Sequence, residues 1–99
     1  MKKLLLALIL TSLPLQVSLA TGLHQCDSGD QTNWKTPESL KDKLILEGWK
    51  VRKIKQDGGC YEVYATTPEG KRAEAYFHPE TLELELIARR GQILFKKSK

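Results

Sequence analysis

Turn signals divide the second half of this chain into short segments, and this division constrains the fold more than any other feature. The signals are Gly48, Asp57-Gly58-Gly59, Pro68-Glu69-Gly70, His78-Pro79-Glu80-Thr81 and Gly91. Between them lie short runs in which aromatic, β-branched or leucine side chains tend to alternate with polar ones. Short alternating runs bounded by Gly and Pro turns are typical of antiparallel strands joined by hairpins.

Four strands are predicted from these runs, and a fifth is left open. Their approximate ranges are 49–54, 60–67, 71–77 and 82–86. In the first strand Val51 and Ile54 lie three positions apart, which indicates a bulge. Leu82, Leu84 and Leu86 alternate with glutamates in the fourth. Residues 92–95 form either a short fifth strand or a docked tail.

The Pro68-Glu69-Gly70 loop predicts the register of the two central strands. A three-residue loop pairs Tyr61, Val63 and Ala65 with Phe77, Ala75 and Ala73 on one face of the sheet. We expect that face to pack under a helix, completed by the Leu82, Leu84 and Leu86 row. The opposite face then exposes Glu62, Tyr64, Arg72, Glu74 and Tyr76.

A helix precedes the strands. Thr36-Pro37-Glu38 supplies a hydroxyl N-cap, a proline in the first helical position and an acid in the first turn. We expect the helix to end near Glu47, before Gly48, and to bury Leu40 and Leu44 on one face. Ile45 and Leu46 make the last turn apolar nearly all round, which favours a buried helix end over a partner site. The fold class is therefore α+β, with one helix packed on an antiparallel sheet of about four strands.

Residues 1–20 have the three parts of a secretory signal peptide. Lys2 and Lys3 precede an apolar run, and Ser18-Leu19-Ala20 fits a cleavage site. The run is about half the length that a membrane span requires. We therefore expect a periplasmic or secreted protein with no stable membrane span after cleavage. Its parts would be an extended lead-in at 21–33, a domain at 34–88, and a basic tail or short extra strand at 89–99.

Net charge gives no support for a nucleic-acid partner. The chain of 99 residues has 16 Lys and Arg against 12 Asp and Glu, a formal charge of +4. Cleavage would remove Lys2 and Lys3, which leaves 14 against 12, or +2. So small an excess is too weak to indicate binding to a phosphate backbone. The length allows one small domain.

Cys26 and Cys60 are the two cysteines, and both follow the predicted cleavage site. In an exported protein two cysteines favour a structural disulfide, because the compartment is oxidising. A redox or metal role is the alternative, although the chain has no CxxC motif and this spacing lacks a metal-ligand pattern.

No catalytic motif occurs in the sequence. It contains no G-x-S-x-G, no HExxH and no Gly-rich phosphate loop. His24 and His78 are the two histidines, and we interpret both as solvated side chains. We predict a protein that is not an enzyme, with no catalytic residue, no metal site and no cofactor.

Several motifs together resemble a small secreted PepSY domain. They are Trp34 before the helix, Gly48-Trp49-x-Val51-x-x-Ile54, Cys60-Tyr61-Glu62-Val63-Tyr64-Ala65, and Gly70-Lys71-Arg72-Ala73-Glu74-Ala75-Tyr76-Phe77-His78-Pro79-x-Thr81. The resemblance covers residues 34–82, and the two cysteine positions are similar to those of single-domain exported members. The family usually has an aspartate before the proline and a glycine after the threonine, where this chain has His78 and Leu82.

The resemblance implies a binding module and no shared catalytic activity. PepSY domains occur in propeptides that restrain secreted metallopeptidases, as stand-alone periplasmic proteins, and within membrane proteins of redox or iron metabolism. We therefore expect a non-enzymatic module that restrains or modulates a peptidase or another envelope protein. The alternative is a periplasmic accessory of a membrane electron-transfer or metal- and haem-handling system. The candidate partner-binding residues are Glu62, Tyr64, Arg72, Glu74 and Tyr76, because Tyr and Arg are common at binding hot spots.

Overall fold

The computed structural model describes residues 22–98 as one helix packed on a five-stranded antiparallel sheet. The predicted signal peptide at 1–20 lies outside the described residues. Within residues 22–98 no helix is long and apolar enough to cross a membrane. The elements are a 3₁₀ turn (Gln31–Asn33), α1 (Pro37–Leu46), β1 (Lys50–Asp57), β2 (Cys60–Thr66), β3 (Arg72–Phe77), β4 (Leu84–Arg89) and β5 (Gln92–Lys96).

Helix α1 begins as its sequence predicts. The Thr36 side chain caps it by accepting a hydrogen bond from the Ser39 N–H at 3.0 Å, and Pro37 is the first helical residue. Leu40 and Leu44 are completely buried. The prediction of a buried helix end is wrong, because Leu46 is 88% exposed and Ile45 is 51% exposed.

The strands follow one another across the sheet in the order β1-β2-β3-β4-β5. The predicted register of the central pair is confirmed, with Tyr61 opposite Phe77, Val63 opposite Ala75 and Ala65 opposite Ala73. The bulge indicated in β1 lies between Val51 and Lys53. The sheet has one strand more than the expected four, because the open alternative at the C-terminus forms β5.

Strand β4 departs from the predicted leucine row. Phe77 pairs with Leu84 and Tyr76 with Leu86, so Glu85 is an extra residue in a β-bulge. Leu84 therefore packs on the helix side, whereas Leu86 lies on the opposite face. Leu82 precedes the strand with φ of 63° and is buried in the helix-side core.

The main core lies between α1 and the sheet. Leu40 and Leu44 pack there against residues of β2 and β3. Trp49 contacts Phe77 edge to face with ring centroids 5.8 Å apart, and Trp34 contacts Tyr61 in the same way at 5.6 Å. The remaining buried members are Val63, Ala65, Ala75 and Leu82.

A second, smaller core forms on the opposite face, where residues 22–28 of the predicted lead-in, called the lead-in from here on, cover part of the sheet. The Cys26–Cys60 disulfide joins this segment to β2. The Cys26 N–H also donates to the Gly58 carbonyl at 2.9 Å. Leu23 and Cys26 pack against Cys60, Tyr76, Leu86 and Ala88. The lead-in is therefore held by more than the single cysteine that the sequence indicated.

Glycines at the β1–β2 hairpin allow this close approach. A Cβ atom on Gly58 would lie 2.7 Å from the His24 carbonyl oxygen, and one on Gly59 would lie 2.9 Å from that of Cys26. Both glycines also have positive φ, at 61° and 78°. The two glycines therefore allow both the hairpin turn and the close approach of the lead-in backbone.

Candidate partner-binding site

Tyr76 lies beneath the lead-in and is completely buried. Its hydroxyl donates to Asp57 Oδ2 at 3.0 Å and accepts from the Leu23 N–H at 3.3 Å. Burial raises the pKa of Tyr76 far above its usual range. The Gly22 N–H donates to the same Asp57 oxygen at 2.7 Å. Tyr76 therefore holds the lead-in to the hairpin and is inaccessible to a partner while the lead-in stays in place.

Glu62 is also completely buried, between Lys55 on β1 and Tyr76 on β3. Lys55 Nζ lies 3.8 Å from Glu62 Oε1, and neither carboxylate oxygen accepts a hydrogen bond of good geometry among the described residues. Burial raises the pKa of Glu62, and the nearby Lys55 charge opposes that rise. The sequence-based expectation that Glu62 and Tyr76 are exposed is wrong, because strand alternation does not reveal what covers a face.

The other half of the same face remains open, and three of the five predicted partner-binding residues lie there. Tyr64 on β2 pairs with Glu74 on β3. Arg72 lies two residues before Glu74 on β3 and therefore on the same face. Arg72 is exposed, whereas Tyr64 and Glu74 are half-buried. The role predicted for these residues stays a prediction, and the structure brings them together on β2 and the central strand β3.

Basic side chains surround Tyr64 and Glu74. Lys53 Nζ and Lys55 Nζ lie 5.8 Å and 5.7 Å from the centre of the Tyr64 ring, within cation–π range. Beyond Glu74 the face dips into an open depression lined by Arg52, Arg72, Glu74, Arg89 and Arg90. Sequence reasoning missed Arg52 because a bulge positions it. For Arg89 and Arg90 it favoured a solvated basic tail over contact with an anionic surface.

Among residues 22–98, both histidines and both cysteines are already engaged in contacts. His24 Nε2 and the Cys26 and Cys60 sulfurs lie within 4.8 Å of one another, but the disulfide leaves no thiolate to act as a ligand. His24 Nε2 also contacts Glu85 at 2.7 Å. His78 Nδ1 accepts from the Glu80 N–H at 3.1 Å, and its Nε2 bonds to the Asp27 carbonyl at 3.1 Å. The predicted absence of a metal site stays a prediction.

Comparison with known proteins identifies the family. Residues 3–85 match the family model described as "Peptidase propeptide and YPEB domain", also called PepSY_2. The match covers most of the 99-residue chain, so the protein belongs to this family of small PepSY proteins. No curated protein and no solved structure gives a significant match.

Membership of the family supports a general class of function. PepSY domains are propeptide-like and inhibitor-like modules without catalytic activity, and they occur typically in extracytoplasmic proteins. The family therefore suggests a module that binds a protein such as a peptidase. The matched range ends before most of β4 and all of β5.

Proposed function

We propose that this chain is an exported, non-enzymatic binding module that restrains or modulates a peptidase or another envelope protein. The observation that carries the proposal is the open half of the sheet opposite α1. There Tyr64, Arg72 and Glu74 form a polar and aromatic surface on two interior strands. Tyr and Arg side chains on a rigid support are the residue types that most often dominate binding energy.

Occlusion is the mechanism that suits this surface. Strands β2 and β3 are each paired on both sides, so the backbone beneath Tyr64 and Arg72 is held before a partner arrives. A preformed surface loses little conformational entropy on binding. The module would cover the partner's active site or a functional face without chemistry of its own, using this open surface or the free edge of β5.

The accessory role in electron transfer or metal handling has weaker support. His24 Nε2 and both ring nitrogens of His78 already have hydrogen-bond partners, and both cysteines are joined to each other. A ligand at these atoms would first have to break contacts that hold the lead-in and the β3–β4 turn.

Crosslinking in the protein's own envelope, followed by mass spectrometry, tests the proposal. We expect one dominant protein partner, and we expect the Tyr64→Ala/Arg72→Ala variant to reduce its capture about tenfold, as loss of a hot spot does. The matched control is Leu46→Ala/Lys41→Ala, which removes an apolar and a cationic side chain from the exposed surface of α1. A captured peptidase would then be assayed for inhibition.

Capture that is unchanged in the Tyr64→Ala/Arg72→Ala variant, with the fold preserved by circular dichroism, would overturn the proposed surface. Tyr76→Ala is unsuitable as a test, because Tyr76 is completely buried and its loss would disturb the second core.

A further inference from the structure

The chain has four arginines, and all four line a single depression on the open half of the sheet. They come from separate parts of the sequence: Arg52 from the β1 bulge, Arg72 from β3, Arg89 from the end of β4 and Arg90 from the β4–β5 turn. The depression has a volume of about 290 Å³. The twelve lysines, in contrast, occur throughout the chain.

None of these arginines has a charged partner among residues 22–98. The ion pairs in that part of the chain use His24, Lys43, Lys55 and Lys97 as cations. Glu74 is the one acid that lines the depression. Four guanidinium groups around one carboxylate leave an excess of positive charge, which an anionic ligand would neutralise. Arginine also binds carboxylates in a two-point geometry that lysine cannot reproduce.

The width of the arginine cluster favours a ligand with several separated charges. Arg52 and Arg89 belong to strands three places apart in the sheet, which corresponds to roughly 14 Å between the strand axes. A ligand with several separated charges therefore engages more of these arginines at once than a single phosphate or carboxylate group does. An extended peptide covers roughly 14 Å in four or five residues, and alternate side chains point to the same side.

Glu74 adds a requirement for a hydrogen-bond donor. Its Oε1 atom is buried and accepts no hydrogen bond among the described residues. A ligand that fills the depression therefore gains by presenting a donor to Glu74 as well as anions to the arginines. Every residue of a peptide except proline carries a backbone N–H, so an acidic peptide meets both requirements.

A second open depression continues the first towards the free edge of the sheet. It shares Arg89 and Arg90, and it adds Lys71, Gln92 and Leu94. All five residues of β5 are exposed, and β5 pairs with β4 alone. A bound segment could leave the arginine cluster along this edge, where backbone groups of β5 face outward.

We propose that the arginine cluster binds an acidic, extended segment of the partner protein. The inference rests on the proposed function and names the chemistry of the partner at that site. Arg72 and Glu74 belong both to the open surface of the proposed function and to the arginine cluster. Arg52, Arg89 and Arg90 extend the contact beyond the five partner-binding residues predicted from the sequence. Arg89 and Arg90 lie outside the matched residues 3–85, so this part of the surface is not a feature of the family match.

Fluorescence anisotropy with a labelled synthetic peptide of alternating Glu and Ser tests this inference on the folded, disulfide-bonded protein. We expect binding that weakens as salt is added, and no binding of the matching Lys-Ser peptide. The Arg52→Gln/Arg89→Gln variant should bind the acidic peptide about tenfold more weakly, because charge-assisted hydrogen bonds are lost. The Lys35→Gln/Lys41→Gln control loses the same charge on the helix side and should bind nearly as wild type does.

Equal weakening in the two double variants would overturn the inference, because it would show a response to net charge alone. Absence of peptide binding would overturn it as well. If the protein binds vesicles containing an anionic phospholipid more tightly than the peptide, the ligand of the arginine cluster is a lipid headgroup, and the inference is overturned. If the inference fails while the proposed function holds, Arg52→Gln/Arg89→Gln will capture the envelope partner normally and Tyr64→Ala/Arg72→Ala will not.

Discussion

Leu82 occupies a backbone conformation that leucine rarely adopts. Its φ of 63° lies in the left-handed region, where the backbone of a residue other than glycine is strained by roughly 1–2 kcal/mol. PepSY domains usually have glycine at this position after the threonine. The Leu82 side chain is 95% buried in the helix-side core, and burial of a leucine contributes about 1.5–3 kcal/mol. The departure from the family pattern therefore exchanges a relaxed turn for additional core packing.

Glu62 gives a prediction about pH at the scale of a single residue. Burial raises the folded-state pKa of Glu62 above its usual 4.5. The Glu62 carboxyl therefore binds its proton more tightly in the folded protein than in the unfolded chain. The stabilisation that this proton gives the fold is complete at low pH and is lost as the pH rises through the folded-state pKa of Glu62. Because Gln cannot ionise, we expect the stability of Glu62→Gln relative to wild type to increase as the pH rises above 4.5, the usual pKa of a glutamate.

Urea unfolding at several pH values measures this difference. Glu69→Gln is the control, because Glu69 is exposed in the β2–β3 loop. A Glu62→Gln difference that is constant across the pH range would show that the buried carboxyl does not change its protonation on folding.

The lead-in at 22–28 is the element that sequence reasoning understood least. Its composition is polar, and Leu23 is its one large apolar side chain. No periodic pattern indicates that such a segment covers a sheet. Its position depends on backbone contacts with Gly58 and on a hydroxyl contact with Tyr76. These contacts involve partners more than 30 positions away, so the sequence alone could not place them.

Removal of the disulfide should destabilise the protein through this element. Cys26 and Cys60 are separated by 34 positions, for which the chain-entropy model gives about 4 kcal/mol. We expect Cys26→Ala/Cys60→Ala to lower the free energy of unfolding by about 3–4 kcal/mol, measured by urea titration.

Leu23→Ala serves as the comparison, because it reduces the packing of the lead-in and keeps the covalent link. A loss below about 1 kcal/mol in the double variant would mean that the unfolded chain gains little freedom without the disulfide.

In strand β4 the predicted alternation of leucines is present, but the predicted face is wrong for Leu86. The helix start, the β2–β3 register and the β1 bulge were all predictable, because each depends on residues close together in sequence. The Leu82–Leu84–Leu86 alternation is genuine, but a bulge at Glu85 moves Leu86 to the opposite face. A bulge depends on how two strands twist against each other, which leaves no signal in a run of regularly spaced leucines.

At the scale of the whole molecule, the sheet is covered unequally. The interior strands β2 and β3 have most of their residues buried between α1 on one side and the lead-in on the other. Every residue of the edge strand β5 is exposed. The open surface proposed for binding lies between these extremes, on rigid strands beside a weakly covered edge.

Native-state hydrogen exchange should reflect this gradient. We expect the amides of β2 and β3 to exchange most slowly, by global unfolding, and those of β5 to exchange faster through local opening. Nuclear magnetic resonance measures both sets in one experiment. Protection in β5 equal to that in β2 would contradict the prediction and would indicate that the edge is covered in solution, for example by a second molecule.

The uninterrupted strand order also has a consequence for how the chain assembles. Each strand of the sheet pairs with its neighbour in sequence, so the order in space repeats the order of synthesis. Every new strand finds its partner already present, and each pairing closes a short loop at a small entropic cost. Topologies rich in such local contacts fold quickly. The Cys26–Cys60 disulfide is the exception, because it closes a long loop. Both of the segments that it joins are synthesised before β3 begins.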